Sequence, residues 1–162
     1  MMTDKEYTLD TMRNYGRIRA NTVQSEASTM TGTEINAQDG YIPDFVAARQ
    51  KMNMLQRKAG QTDGFVCKTS AGRVVRLIQN YDSDTYTEEP EELDAQWRFV
   101  WSTDPEKTKP FVALATSPYG SGDCCSFEVE DEDNNKVSHV YRSTHDNNTF
   151  SPVEYPDWWE LV

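Results

Sequence analysis

Hydrophobic positions are unevenly spread along this chain, and their spacing divides it into three zones. From Met1 to about Gly40 they are sparse: Tyr7, Leu9, Met12, Tyr15 and Ile18 stand among polar residues, and the stretch Asn21–Thr33 is dominated by Ser, Thr, Asn and Gln. A segment this polar cannot bury a core of its own, so residues 1–40 are expected to form an extended arm.

The second zone, 41–60, changes period. Phe45, Ala48, Met52, Leu55 and Ala59 repeat at 3-4-3-4 spacing, which predicts a short helix with a narrow apolar seam. Pro43 suits the first helical position, Asp44 the first turn and Gly60 the end. A helix of this length is marginal alone, so the seam needs a partner. That partner is either the protein's own sheet or the same helix of sister chains.

The third zone, 61–162, reads as β. Gly64–Thr69 and Arg73–Ile78 flank the turn signature Ser70-Ala71-Gly72. Gln96–Trp101 alternates, Phe111–Ala115 is a further candidate strand, and Ser126–Val129 and Lys136–Arg142 flank a turn over Asp131–Asn135. Tyr81–Leu93 is acidic, holds Pro90 and reads as a loop. The expected fold is mainly β, with an extended N-terminal arm, one short α-helix and small antiparallel β-modules at the C-terminus.

Composition sharpens this picture. Only 36% of the 162 residues are hydrophobic and the mean hydropathy is -0.79, so part of the chain is extended or buried on assembly. The net charge of -11 argues against a nucleic-acid partner, which would need a basic stripe. Residues 1–24 carry four positive and three negative side chains, leaving -12 for the remainder. Arg13, Arg17 and Arg19 therefore suit an arm that anchors on an acidic partner, such as a neighbouring copy. The alternative is a flexible tail. No membrane span and no secretory leader are legible, and synthesis in a reducing cytoplasm is expected. Cys67, Cys124 and Cys125 are odd in number and two are adjacent, which argues against a disulfide framework.

The search for chemistry finds little. Cys124, Cys125, His139 and His145 lack zinc-site spacing. Asp131-Glu132-Asp133-Asn134-Asn135 begins like a calcium loop but continues with Lys136 where glycine is needed, so a solvated hairpin turn is the stronger reading. No nucleophile elbow or phosphate loop occurs, and neither enzyme activity nor a cofactor is expected.

The C-terminal stretch, about 115–162, carries the most legible signal. Asn147, Asn148, Pro152 and Pro156 set turns, so aromatic packing must hold the loop. Asp123, Tyr141, Asn148, Pro152 and Trp159 are expected to form the core of a small module. Tyr119, Tyr155 and Trp158 are the candidate glycan-binding rings, because a flat exposed ring beside Asn and Asp suits a sugar face.

These residues resemble the small chitin-binding-type carbohydrate-binding modules: Gly122-Asp123, Val140-Tyr141-Arg142-Ser143, Asn148 with Pro152, and Trp159-Glu160. The chain departs from that family in its long acidic insertion between Cys125 and Val140. Tyr41-Ile42-Pro43-Asp44-Phe45, Ala59–Cys67, Ala71–Val75 and Asp146–Thr149 resemble short proteins of tailed, crAss-like phages of gut Bacteroidales. That resemblance implies a virion protein made in the host cytoplasm, a head fibre or capsid decoration, oligomeric with a trimer as one form, whose arm anchors on other capsid or fibre proteins and whose β-module binds surface glycans. The alternatives are a non-catalytic carbohydrate-binding accessory module or lectin, and a capsid or tail cement protein with no ligand.

Overall fold

The computed structural model describes residues 1–51, 64–79, 81–82 and 84–162. It shows a mixed α/β chain with a β-rich C-terminal half rather than a mainly β one. The arm is not extended. Asp4–Glu26 form one 23-residue helix, α1, entered through a capping box in which the Thr3 hydroxyl and the Glu6 carboxylate exchange hydrogen bonds with each other's backbone N–H. Thr31 and Glu34 repeat the device at the start of α2, Gly32–Asn36. The third helix, α3, runs Phe45–Lys51, so Pro43 lies ahead of it rather than in its first turn.

Two antiparallel three-stranded sheets follow. The first joins β1 (Val66–Lys68), β2 (Val74–Leu77) and β3 (Trp97–Phe99) in that order, with Val66 opposite Arg76 and Arg76 opposite Arg98. The β1–β2 turn falls at Ser70-Ala71-Gly72, where Gly72 takes φ +76, a conformation that a Cβ disfavours. The second sheet joins β4 (Cys124–Glu130), β5 (Lys136–Ser143) and β6 (Trp159–Leu161). Its hairpin turn is held by Asp131, whose carboxylate accepts from the backbone N–H of Asp133 and Asn135; those bonds hold its pKa below the usual range. Phe111–Ala115 is not a strand. The chain meets β4 through an isolated bridge at Pro110 and Ser126, with the Phe111 N–H donating to the Ser126 carbonyl (2.8 Å) and its ring meeting Phe127 edge-on.

The core has three centres. Phe45 and Ala48 pack with Phe65, Cys67, Val75, Leu77, Tyr81 and Trp97, so these two seam residues face the chain's own sheet. Met52, Leu55 and Ala59 lie outside the described residues. Val23, Ala27, Ile35 and Ile42 pack on Val66 and Val74, so the polar first zone does contribute to a core, with the sheet as its other half. Tyr119, Cys125 and Trp159 form the third.

The end of α1 is fixed by polar contacts that replace missing backbone partners. The Gln24 side-chain amide donates to the Val66 carbonyl (2.7 Å) and accepts from the Val66 N–H (3.0 Å), pairing the free edge of β1 as another strand would. The Arg76 guanidinium donates to the Ala27 carbonyl at 2.7 Å. Gly32 is required by close approach, since a Cβ there would meet the Trp101 carbonyl oxygen at 2.0 Å.

Candidate functional site

The C-terminal loop 144–158 is built on Asn148. Its side chain is buried, donates to Ser143 Oγ (3.0 Å) and accepts from the Phe150 N–H (3.1 Å). Its backbone exchanges both hydrogen bonds with Tyr119, at 2.8 and 2.9 Å. Ser143 in turn donates to the His145 carbonyl (2.8 Å), and Asp146 Oδ1 accepts from the Ser121 N–H (2.8 Å). The loop is thus held by one antiparallel backbone bridge to Tyr119 and by side chains on either side of it. Pro152 and Trp159 are buried beneath it, and Trp159 Nε1 donates to the Phe150 carbonyl (2.9 Å). Asp123 joins this frame by accepting from the Gly120 N–H at 2.8 Å; burial raises its pKa above the ordinary carboxylate value. Tyr141 is half-buried against the same cluster.

Of the three candidate sugar-facing rings, Tyr119 is misplaced. It is 0% exposed, stacked between Trp101 (centroids 4.2 Å apart) and Phe111 (5.5 Å), with the edge of Trp159 closing the box. Its hydroxyl accepts from the Val112 N–H at 3.2 Å. Tyr119 is therefore the centre of the module's core, and no ligand reaches it.

Tyr155 is exposed and Trp158 half-buried against the Tyr119–Cys125–Trp159 cluster; the two lie together, and two further rings join them. Tyr155 lies 4.4 Å from Phe150 and 5.0 Å from Trp158, and Phe150 meets Trp158 edge-on at 5.6 Å. The His145 imidazole stacks on Trp158 at 4.7 Å with an interplanar angle of 12°. One face of the indole is therefore already covered. Tyr155 and Phe150 remain the open rings, 45% and 38% exposed. Val153, Glu154, Asp157 and Glu160 are exposed on the same stretch; Glu154 accepts from the Ser151 N–H and Glu160 pairs with Arg142 at 3.9 Å. Comparison with family models, curated proteins and solved structures gives no significant match. The functional reading therefore rests on this geometry and the sequence.

Neither Phe150 nor His145 is among the ring positions that the sequence singles out. Phe150 was detectable: an aromatic inside Asn-Asn-Thr-Phe-Ser-Pro has no local core to enter. His145 had no such signal, because its stacking depends on the return of the chain at Trp158. The arm residues divide. Arg13 and Arg17 are exposed on α1, with Arg17 donating to Asn14 Oδ1 (3.1 Å). Arg19 instead bonds Gln38 Oε1 (2.6 Å) and sits over the Tyr41 ring, so it is engaged with its own chain.

Proposed function

We propose that this chain is a non-catalytic binding protein of a phage virion, a head fibre or capsid decoration, that presents the Phe150–Tyr155–Trp158 patch to surface glycans. The observation that carries the reading is the patch itself: aromatic rings kept at the surface by a loop whose every anchor is a specific hydrogen bond. An apolar ring costs free energy when left in water, so a rigid frame that keeps it there favours a binding role over a packing one. Tyr155 and Phe150 offer tilted ring faces for the C–H side of a pyranose, and the neighbouring carboxylates can accept from its hydroxyls.

The reading is tested by screening the protein on a glycan array and then titrating hits by NMR. Tyr155→Ala should lower affinity by roughly 10-fold, in line with about 1–2 kcal/mol for one stacked ring at a hot spot. Tyr141→Phe, away from the patch, should leave it unchanged. Absence of any glycan signal, or equal binding by Tyr155→Ala, would mean that the patch is not a sugar site and would leave the cement protein as the better reading.

A further inference from the structure

The first four turns of α1 stand free of the body. Every residue from Met1 to Tyr15 is exposed, and α1 is buried only where Val23 meets the core. On a helix of 3.6 residues per turn, Tyr7, Thr8, Thr11, Met12, Tyr15, Ile18 and Thr22 fall within an arc of roughly 140°. Glu6, Asp10, Arg13 and Arg17 occupy the opposite side. The four large side chains of the stripe, Tyr7, Met12, Tyr15 and Ile18, are 58–67% exposed. Val23 and Ala27, the α1-end residues in the core, lie about 20° and 60° beyond the Met12 edge of this arc, so the stripe adjoins the side of α1 that its own core uses without coinciding with it.

We infer that this stripe is a self-association surface: α1 of one copy packs antiparallel against α1 of a second copy, forming a two-fold dimer. The inference gives the oligomeric part of the reading above a location and does not depend on what the aromatic patch binds.

Charge selects the occupant. Asp4–Glu26 holds four bases (Lys5, Arg13, Arg17, Arg19) and four acids (Asp4, Glu6, Asp10, Glu26), so the whole net charge of -11 lies outside α1. Two copies approaching through their bodies meet like charge. Asp4, Arg19 and Glu26 project into the same arc, and an antiparallel second copy sets Asp4 of each chain against Arg19 of the other, so the stripe complements itself in charge.

Charge also selects the direction. A parallel pair would bring two acidic bodies side by side at one end. An antiparallel pair sets them at opposite ends of a 23-residue helix, about 30 Å apart and well beyond the ~8 Å Debye length at physiological salt. It also opposes the helix dipoles favourably. Centred between Thr11 and Met12, such a pair places Thr8 of one copy against Tyr15 of the other. It also brings Asp4 in the acidic first turn beside Arg19 in the basic second half. The four side chains, with the stripe's threonine methyls, would bury roughly 1,000–1,200 Å² in total, at the low end for a specific interface. The dimer should therefore form at tens of micromolar and dissociate on dilution.

The test uses the full chain. Sedimentation velocity at ~100 μM should give twice the 18.6 kDa chain mass, falling to one chain on dilution below ~1 μM. The double variant Tyr15→Glu with Ile18→Glu should be monomeric at ~100 μM with an unchanged far-UV circular dichroism spectrum, since both residues are exposed. For direction, Thr8→Cys chains are mixed with Tyr15→Cys chains and oxidised; the mixed disulfide should dominate. The native thiols are buried and do not compete. A monomeric wild type, an oligomer that survives the double variant, or preferential linkage of Thr8→Cys to itself would each overturn the proposal. The glycan titration is run on the double variant as well, so failure of sugar binding and failure of dimerisation are separate results.

Discussion

Asn148→Ala is the most informative single change in the C-terminal module. The substitution removes the donor to Ser143 Oγ and the acceptor for the Phe150 N–H, two hydrogen bonds of a side chain that is completely buried. Each is worth about 1 kcal/mol net, and the groups left without partners add a desolvation cost, so a loss of about 2–3 kcal/mol is expected. For a chain of this size that corresponds to a drop in Tm of about 5–10 °C, read by thermal circular dichroism. The loop carrying Phe150 should loosen first, which glycan titration of the still-folded variant would report as weakened binding. Asn148→Asp makes a stricter comparison. It keeps an acceptor for Phe150 but buries a carboxylate, whose folded-state pKa is raised by desolvation. Stability contributed by the protonated form is then complete below the unfolded-state value and lost as pH rises through the folded one. Asn148→Asp should be nearest wild type in acid and weakest at neutral pH. A loss under about 0.5 kcal/mol for Asn148→Ala would refute the idea that this side chain holds the loop.

Three further outcomes follow from the same structure. Asp123 has its pKa raised mainly by burial and further by Asp146, against the lowering by the Gly120 N–H, so its contribution is present in acid and lost as pH rises through its folded-state value. Asp123→Asn, which keeps an acceptor for Gly120, should be more stable than wild type at neutral pH in urea titrations, with the gap closing towards pH ~4. Cys67, Cys124 and Cys125 are buried, with desolvation pushing all three thiols up and Cys125 to about 12. Ellman's reagent at pH 8 should label none of them within minutes in the native protein and all three in denaturant; rapid native labelling would contradict their burial. Gln24→Ala leaves both Val66 backbone groups without their partner and should cost about 2 kcal/mol, with faster proteolysis of α1 as the local readout.

What the sequence conveyed, and what it hid, follows from where each element finds its stabilisation. The two hairpins were legible because their turns are local: Ser70-Ala71-Gly72 supplies a positive φ, and Asp131 wraps its own backbone. The module core at Asn148, Pro152 and Trp159 was legible for a related reason, since turn residues without ladder bonds must be held by something large. Helix α1 was hidden because its few large apolar residues stand among threonines and charges and only Val23 along its length is buried, so its period is weak. Its start was nonetheless written in the Thr3–Glu6 capping box and in the absence of proline, signals that low hydrophobicity had outweighed. Phe111–Ala115 looked like a strand, yet the Tyr119 hydroxyl accepts from its Val112 N–H and supplies by side chain what a ladder would have supplied. Tyr119 itself, between Pro118 and Gly120, has the context of an exposed loop tip; its burial comes from Trp101, Phe111 and Trp159, which are distant or unpatterned in sequence.

The same distinction separates the two exposed apolar surfaces. Phe150 is held by hydrogen bonds to Asn148 and Trp159, and Tyr155 and Trp158 by ring contacts with it and with each other, so their geometry is set before any ligand arrives. The stripe of α1 is fixed only by its own helix, and an isolated helix of 23 residues gains little from propensity alone. A preformed patch suits a small rigid ligand, whereas a stripe that needs support suits another helix. That difference is the physical reason for proposing ligand binding at the C-terminal module and self-association at α1. It also predicts that Tyr15→Glu with Ile18→Glu will lower glycan avidity on a multivalent surface while leaving the affinity of a single soluble sugar unchanged.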